Sequence, residues 1–383
     1  MNMKITIIGP AYPFRGGIAT FNNRLAEALI EEGHEVTIQT FTLQYPSILF
    51  PGKTQFSEEP ASHSFTIKRT INSINPLNWI KVGNKIKKDK PDLVISRFWI
   101  PFMGPCFGTI QRLIKKNKHT KIITIVDNMI PHESRIGDKA FSSYFVKPVD
   151  AFVTMSQSVL KDLDLFDTQK PRIYTPHPLY DNFGEIEDRN KSLDKLGLDN
   201  TKKYLMFFGL IRDYKGLDLL IEAFASNRID KEEYRLIIAG EYYSDKEKYT
   251  QLIEKHNLQN TIIQADKFIP DSEVANYFNA CDLVVQPYKS ATQSGVTQIA
   301  YHFHKAMVVT NVGGLGEICP DGKVGYLVSP NPESITDGIL KYFNDTNKDQ
   351  MVENIIQEKK KYSWEILTGK IVSLYNQTMK KSH

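Results

Sequence analysis

Short apolar runs of strand type alternate with amphipathic stretches of helical type through both halves of this chain, and that alternation leaves few folds open. In the first half, residues 4–9, Val36 and Ile38, Leu93-Val94-Ile95, residues 122–126 and Phe152-Val153-Thr154 read as buried-type strands. Phe21, Leu25, Ala28 and Leu29 recur at helical spacing after the first of them, in a helix that Gly33 ends. The second half repeats the pattern with residues 205–208, Leu236-Ile237-Ile238, Thr261-Ile262-Ile263, Leu283-Val284-Val285, Met307-Val308-Val309 and Tyr326-Leu327-Val328. Strand–helix alternation implies parallel sheets covered by helices, an α/β fold. At 383 residues the chain is long for one core, so two domains are expected. Residues 176–203 are charged, carry Pro176, Pro178, Gly184 and Gly197, and read as the junction. Residues 41–80, with scattered Pro, Ser and Asn, read as irregular. Ligands of such sheets bind outside the carboxyl ends of the strands, so the expected site is a cleft between the domains.

One segment joins this architecture to chemistry. Phe207-Phe208-Gly209-Leu210-Ile211-Arg212-Asp213-Tyr214-Lys215-Gly216 runs from a strand into a turn carrying two cations. The turn opens a helix marked by Leu217, Leu220, Ile221 and Phe224. A strand end, two cations and a helix N-terminus together suit a diphosphate. A second stretch, Gln286 to Tyr301, ends a strand at Pro287 and passes through Thr292-Gln293-Ser294-Gly295-Val296-Thr297 into a helix. Backbone N–H groups of Gly295, Val296 and Thr297 are expected to form an anion site, with the Thr292 and Ser294 hydroxyls adding donors. The third element, Thr310-Asn311-Val312-Gly313-Gly314-Leu315-Gly316-Glu317, is glycine-rich, follows a strand and ends in a carboxylate.

In the first half, Gly16-Gly17 lets a ligand approach bare backbone before a helix, but the turn is not G-x-G-x-x-G, which argues against a dinucleotide. Asp127 at a strand's end and His132 in the following loop are polar candidates. His302 and His304 read as helix surface or core, and Asp162-Leu163-Asp164 as a solvated helix face. Residues 98–107 are apolar and broken by prolines, which reads as inter-helix core, as the wall of an acceptor groove or as a membrane contact.

Composition excludes several classes. No window reaches about 18 apolar residues, so no spanning helix is expected. The start is strand-like and too short for a signal peptide. Cys106, Cys281 and Cys319 are odd in number and far apart, so neither a disulfide frame nor a zinc site follows and a reducing cytosol is expected. Residues 1–180 hold 23 Lys and Arg against 15 Asp and Glu, a balance of +8, whereas residues 181–383 hold 25 against 29, a balance of −4. The basic residues cluster at Lys81, Lys85, Lys87, Lys88 and Lys90, and at Arg112, Lys115, Lys116, Lys118 and Lys121. Such clusters suit anionic lipid or solvated helix faces. No nucleic-acid motif accompanies the charge.

In this order, the elements resemble the GT-B-fold retaining glycosyltransferases of family 4. The resemblance is carried by Gly16-Gly17, Gly33-His34-Glu35-Val36, the Arg212/Lys215 pair, Val312-Gly313-Gly314-Leu315-x-Glu317, Asp321-Gly322-Lys323-x-Gly325-Tyr326 and the tail Tyr362-Ser363-Trp364. It implies two Rossmann-like domains facing each other across a cleft. An acceptor-side domain would occupy residues 1–180, a nucleotide-sugar domain 181–360, and a closing helix at 361–383 would cross back to the first. It further implies that Arg212 and Lys215 bind and stabilise the donor diphosphate, and that Gly17 approaches the distal phosphate. Val296 and Thr297 would hold phosphate at a helix start. Phe268 and Ile269 would form the strand edge under the nucleobase, and Glu241 would lie in the nucleotide pocket. Gly209, Thr292, Gln293, Ser294, Gly295 and Glu317 complete the expected donor site, with Asp127 and His132 near the sugar. No metal or other cofactor is implied.

Two family glutamates are replaced by Thr292 and Ala300, with Gln293 and Gln298 as substitutes, and the first cation stands three positions beyond Gly209. The expected activity is cytoplasmic transfer of a sugar from a nucleotide-diphosphate donor to a glycan or lipid-linked acceptor in surface polysaccharide synthesis, peripheral to the inner membrane face. A non-catalytic nucleotide-sugar scaffold or sensor and a sugar-nucleotide epimerase of similar architecture are the alternatives.

Overall fold

The computed structural model describes residues 2–46, 54–60, 63–130, 137–291 and 294–380. The chain divides into two compact units, Met1–Pro178 with Ser363–His383, and Leu179–Tyr362. Each is an α/β unit on one parallel sheet.

The first unit holds strands β1 (Lys4–Ile8), β2 (Glu35–Leu43), β3 (Thr66–Asn72), β4 (Leu93–Phe98), β5 (Lys121–Val126), β6 (Ala151–Thr154) and β7 (Arg172–Tyr174). Their order in the sheet is β3-β2-β1-β4-β5-β6-β7. Helices α1 (Gly17–Glu31), α2 (Pro76–Asp89), α3 (Gly104–Lys115), α4 (Asp138–Val146) and α5 (Gln157–Leu163) connect them. β4 and β6 are buried at every position, as expected of strands covered on both faces. Phe98, Met103, Cys106 and Phe107 belong to the core on one face, with Trp99, Ile100 and Phe102 packed partly buried against it.

The second unit holds α6 (Arg189–Leu196), β8 (Lys203–Phe208), α7 (Leu217–Ala225), β9 (Tyr234–Ala239), α8 (Lys246–Lys255), β10 (Ile262–Ala265), α9 (Asp271–Ala280) and β11 (Leu283–Gln286). It continues with α10 (Gly295–His302), β12 (Met307–Thr310), α11 (Leu315–Ile318), β13 (Gly325–Val328), α12 (Pro332–Asn344) and α13 (Lys348–Glu358). The strand order is β10-β9-β8-β11-β12-β13. The closing helix α14 (Trp364–Lys380) belongs to the first unit. Its Trp364 packs on Phe21 of α1 with ring centroids 5.0 Å apart, Arg24 lies 5.5 Å over the Trp364 ring, and Lys370 donates to the Tyr174 carbonyl at 3.0 Å. No described helix is long and apolar enough to cross a membrane.

Three features depart from the sequence reading. Residues 41–80 are not irregular throughout: β2 runs to Leu43, β3 follows, and α2 starts at Pro76 with the Asn75 side chain accepting from Leu77 and Asn78. β3 is an edge strand whose one deeply buried residue is Ile71, so the period-2 signal is thin. The junction segment contains α6, capped by Asp188 and closed by left-handed Gly197, with only Ser192 and Leu193 buried to mark its inner face. β7, three residues long and half-buried, carries no pattern at all.

In each sheet the chain progresses outward in one direction and then returns to the other side. That reversal falls between β1 and β4 in the first unit and between β8 and β11 in the second. Parallel strands leave a crevice at their carboxyl ends at such a point.

Candidate active site

In the second unit, the two strongest sequence segments leave β8 and β11, the pair at the reversal. Gly209 ends β8 with φ near +98°, and residues 213–215 make one tight turn that left-handed Gly216 closes before α7. Backbone bonds fix this turn: Ile211 N–H donates to the Glu241 carbonyl at 2.9 Å, and Lys289 N–H to that of Tyr214 at 2.7 Å. A Cβ on Gly216 would stand 2.0 Å from the Pro287 carbonyl oxygen, so the turn after β8 lies directly against the loop after β11. Gly216→Ala is therefore expected to lower unfolding stability by about 1–3 kcal/mol in urea titrations, through the clash and the left-handed backbone.

Gly209 packs between the two poles of the site. A Cβ there would be 3.3 Å from Lys215 Nζ and 3.6 Å from Val296 Cγ2 in the first turn of α10. Ser294 caps that helix, its hydroxyl accepting from the Val296 N–H at 3.2 Å, while Thr297 Oγ1 donates to the Ser294 carbonyl at 2.5 Å. The Val296 N–H is thus spent on the cap. Tyr180 stacks under the helix start, where a Cβ on Gly295 would meet its ring at 2.7 Å. Thr292 and Gln293 lie outside the described residues.

Among the described residues, the cations at this site lack counter-charges. Arg212 is exposed, 5.3 Å over the Tyr243 ring, and Lys215 lies 5.5 Å from the Tyr288 ring. Neither has a carboxylate partner among the described residues. Asp213 between them is engaged by Tyr249 Oη at 3.1 Å and by Lys248 at 3.3 Å. Burial, with Arg212 adding repulsion, pushes the Lys215 ammonium down to about 8. Two like charges held beside a helix N-terminus form a site for a polyanion.

The glycine-rich segment reaches the same place. A Cβ on Gly313 would stand 1.6 Å from the Ala291 carbonyl oxygen, so the loop after β12 lies on the loop after β11. Glu317, in α11, is exposed. Glu241 is buried just beyond β9, where a Cβ on Gly240 would meet the Gly209 carbonyl at 1.9 Å. Phe268 and Ile269 are not strand residues: they sit in the loop between edge strand β10 and α9, with Ile269 buried and Phe268 half-buried.

In the first unit, Gly16 has φ near +100° and precedes α1 at the carboxyl end of β1, and a Cβ there would meet nothing within 4 Å. Asp127 follows β5, and the structure places its carboxylate in an ion pair. Arg97 on β4 donates Nε to Asp127 Oδ2 at 2.7 Å and Nη2 to Oδ1 at 2.8 Å. Both side chains are buried, the guanidinium lies 3.6 Å over the Phe21 ring, and His177, buried on Phe21's edge, is pushed down to about 3 by burial and by Arg97. Asp127 thus belongs to a buried ion pair. His132 lies outside the described residues. His302 sits against the Gly184 carbonyl and His304 against Lys359 Nζ, while Asp164 pairs with Arg172.

Comparison with known proteins places this geometry. Residues 15–187 match the family Glycosyltransferase Family 4, and residues 188–362 match Glycosyl transferases group 1. The chain is a family 4-like glycosyltransferase of the GT-B fold. An uncharacterized glycosyltransferase of Methanocaldococcus jannaschii is 26% identical over 95% of both chains. A lipopolysaccharide 1,2-N-acetylglucosaminetransferase of Salmonella typhimurium is 27% identical over 45% of this chain and 47% of its own. Anabaena HepE, solved in complex with UDP and glucose, shares the fold with a TM-score of 0.72 over 99% of both chains at 15% identity.

The glycosyltransferase's Arg97 is the buried cation that sequence reasoning missed. Its signal was an arginine inside the apolar run Leu93-Val94-Ile95-Ser96-Arg97-Phe98, since a cation in a buried strand demands an acid nearby.

Proposed function

We propose that this glycosyltransferase moves a sugar, with retention of configuration, from a nucleotide-diphosphate sugar to a glycan or lipid-linked acceptor in surface polysaccharide synthesis. The observation that carries the reading is the pair of cations, Arg212 and Lys215, without carboxylate partners among the described residues, with Lys215 set across Gly209 from the start of α10. In this reading they neutralise the departing diphosphate, the α10 N-terminus holds a phosphate, and the reaction needs no metal to supply that charge. The departing diphosphate itself takes the acceptor's proton on the same face, so no side-chain nucleophile is invoked. Glu241, Phe268, Ile269 and Glu317 line the rest of the donor site. The UDP held by Anabaena HepE supports a nucleotide donor, and the Salmonella relative supports a surface glycan as acceptor. The reaction is placed at the cytoplasmic face of a membrane, where the basic first half meets anionic lipid.

A thermal-shift panel of UDP, GDP, ADP and CMP tests it. A nucleotide at about 100 times its dissociation constant adds about 2.7 kcal/mol of stability. Stabilisation by one base is expected, and transfer assays with its sugars follow. A flat response to all four would overturn the donor assignment.

A further inference from the structure

We propose that the outer face of α2 is a docking surface for an anionic lipid bilayer. Leu77 is 78% exposed and Ile80 46%, and Ile74, just before the helix, is 50% exposed. At about 100° per residue, Leu77, Ile80, Lys81, Asn84, Lys85 and Lys88 fall within an arc of about 140°. Val82, Gly83 and Ile86, on the opposite side, are buried. One face of the helix therefore carries large apolar side chains in its first half and lysines in its second.

The lysines are free for such use. Lys81, Lys85 and Lys88 are exposed and have no hydrogen-bond or ion-pair partner among the described residues. Two members of the second basic cluster are engaged inside the fold. Lys115 bridges Asp150 at 2.8 Å, and Arg112 donates to the Gly108 and Tyr144 carbonyls while lying 3.6 Å over the Tyr144 ring. The α2 cluster presents its lysines outward beside exposed apolar side chains of the same helix.

The charge decides the occupant. Residues 81–90 hold five lysines against Asp89 alone. A second copy of the chain meeting this face across a two-fold axis would bring the lysines together. An anionic bilayer attracts them, takes their stems at headgroup level and receives Ile74, Leu77 and Ile80 among the acyl chains. The helix is also well placed. It follows β3, which is parallel to its neighbours, so its apolar first turns lie towards the carboxyl edge of the sheet, the edge that carries Gly16 and Gly17. This deepens the lipid-linked-acceptor reading and rests on it for its purpose. Vesicle binding is measured without donor or acceptor, so its failure and the failure of transfer are separate results.

The test is co-sedimentation of the full chain with vesicles of phosphatidylcholine, alone or mixed with phosphatidylglycerol. Binding is expected to the mixed vesicles only and to weaken with added salt. Leu77→Asp with Ile80→Asp should weaken it about tenfold or more. Lys81→Gln, Lys85→Gln and Lys88→Gln should each weaken it about fivefold. Lys161→Gln, exposed on α5, should leave it unchanged, and all variants should keep the parent's unfolding temperature. No binding to mixed vesicles, or binding that the α2 variants retain, would overturn the proposal. So would a concentration-dependent dimer that Leu77→Asp abolishes, which would give this face to a second copy.

Discussion

Replacing Lys215 with alanine is expected to lower kcat/KM by about 10²–10³-fold, the size of effect seen when one donor to a developing negative charge is removed from a preorganised site. The side chain has no carboxylate to neutralise it among the described residues, and it sits 3.3 Å from where a Cβ on Gly209 would be. Its ammonium, lowered to about 8 by burial and by Arg212, makes the effect readable in pH as well. Between about pH 7, where the terminal phosphate of UDP is fully ionised, and pH 8 the empty site already carries the proton, and UDP affinity should not change with pH. A bound diphosphate raises the lysine's pKa again, so above pH 8 binding must take up a proton. UDP affinity should then fall by up to tenfold per pH unit. Calorimetric titration with UDP across that range should show the break in the parent and none in Lys215→Arg, whose charge persists. Turnover unchanged in Lys215→Ala, with a flat pH profile in the parent, would remove Lys215 from the diphosphate site.

The second large effect is on stability. Asp127→Asn is expected to cost about 3–5 kcal/mol, because it leaves Arg97 as an uncompensated buried charge. For a unit of this size that is a fall in Tm on the order of 10 °C by differential scanning calorimetry. Arg97→Met combined with Asp127→Leu should restore most of it, since removing both charges also removes their desolvation. A catalytic acid or base at this position would behave oppositely, with activity lost and Tm kept. That result would return Asp127 to the chemistry.

The contrast between these two residues shows what was legible in the sequence. Arg212 and Lys215 could be read because strand, turn, cations and helix lie in one contiguous segment. The ion pair of Asp127 could not be read because its partner, Arg97, is thirty positions away and meets it only through the pairing of β4 with β5. The convergence of the loops after β8, β11 and β12 has the same origin. The strand order makes these three neighbours, and nothing local in Ala291 announces that Gly313 will rest on its carbonyl. Parallel sheets and two units followed from the alternation of apolar runs. The edge elements β3 and β7 did not, because a strand with little to bury leaves little pattern. On α2 the lysines were visible as a cluster, but the exposure of Leu77 beside them depends on which helix face packs inward.

The membership of α14 bears on the order in which this protein is made. The first unit is interrupted by all of residues 179–362, and the helix that covers Phe21 with Trp364 is translated only after them. At about 5–20 residues per second, roughly ten seconds or more separate β7 from its own unit's closing helix. The second unit, being continuous, can complete itself on the ribosome during that interval. The segment translated first is therefore finished last, and until then the Phe21 face of α1 lacks its Trp364 cover.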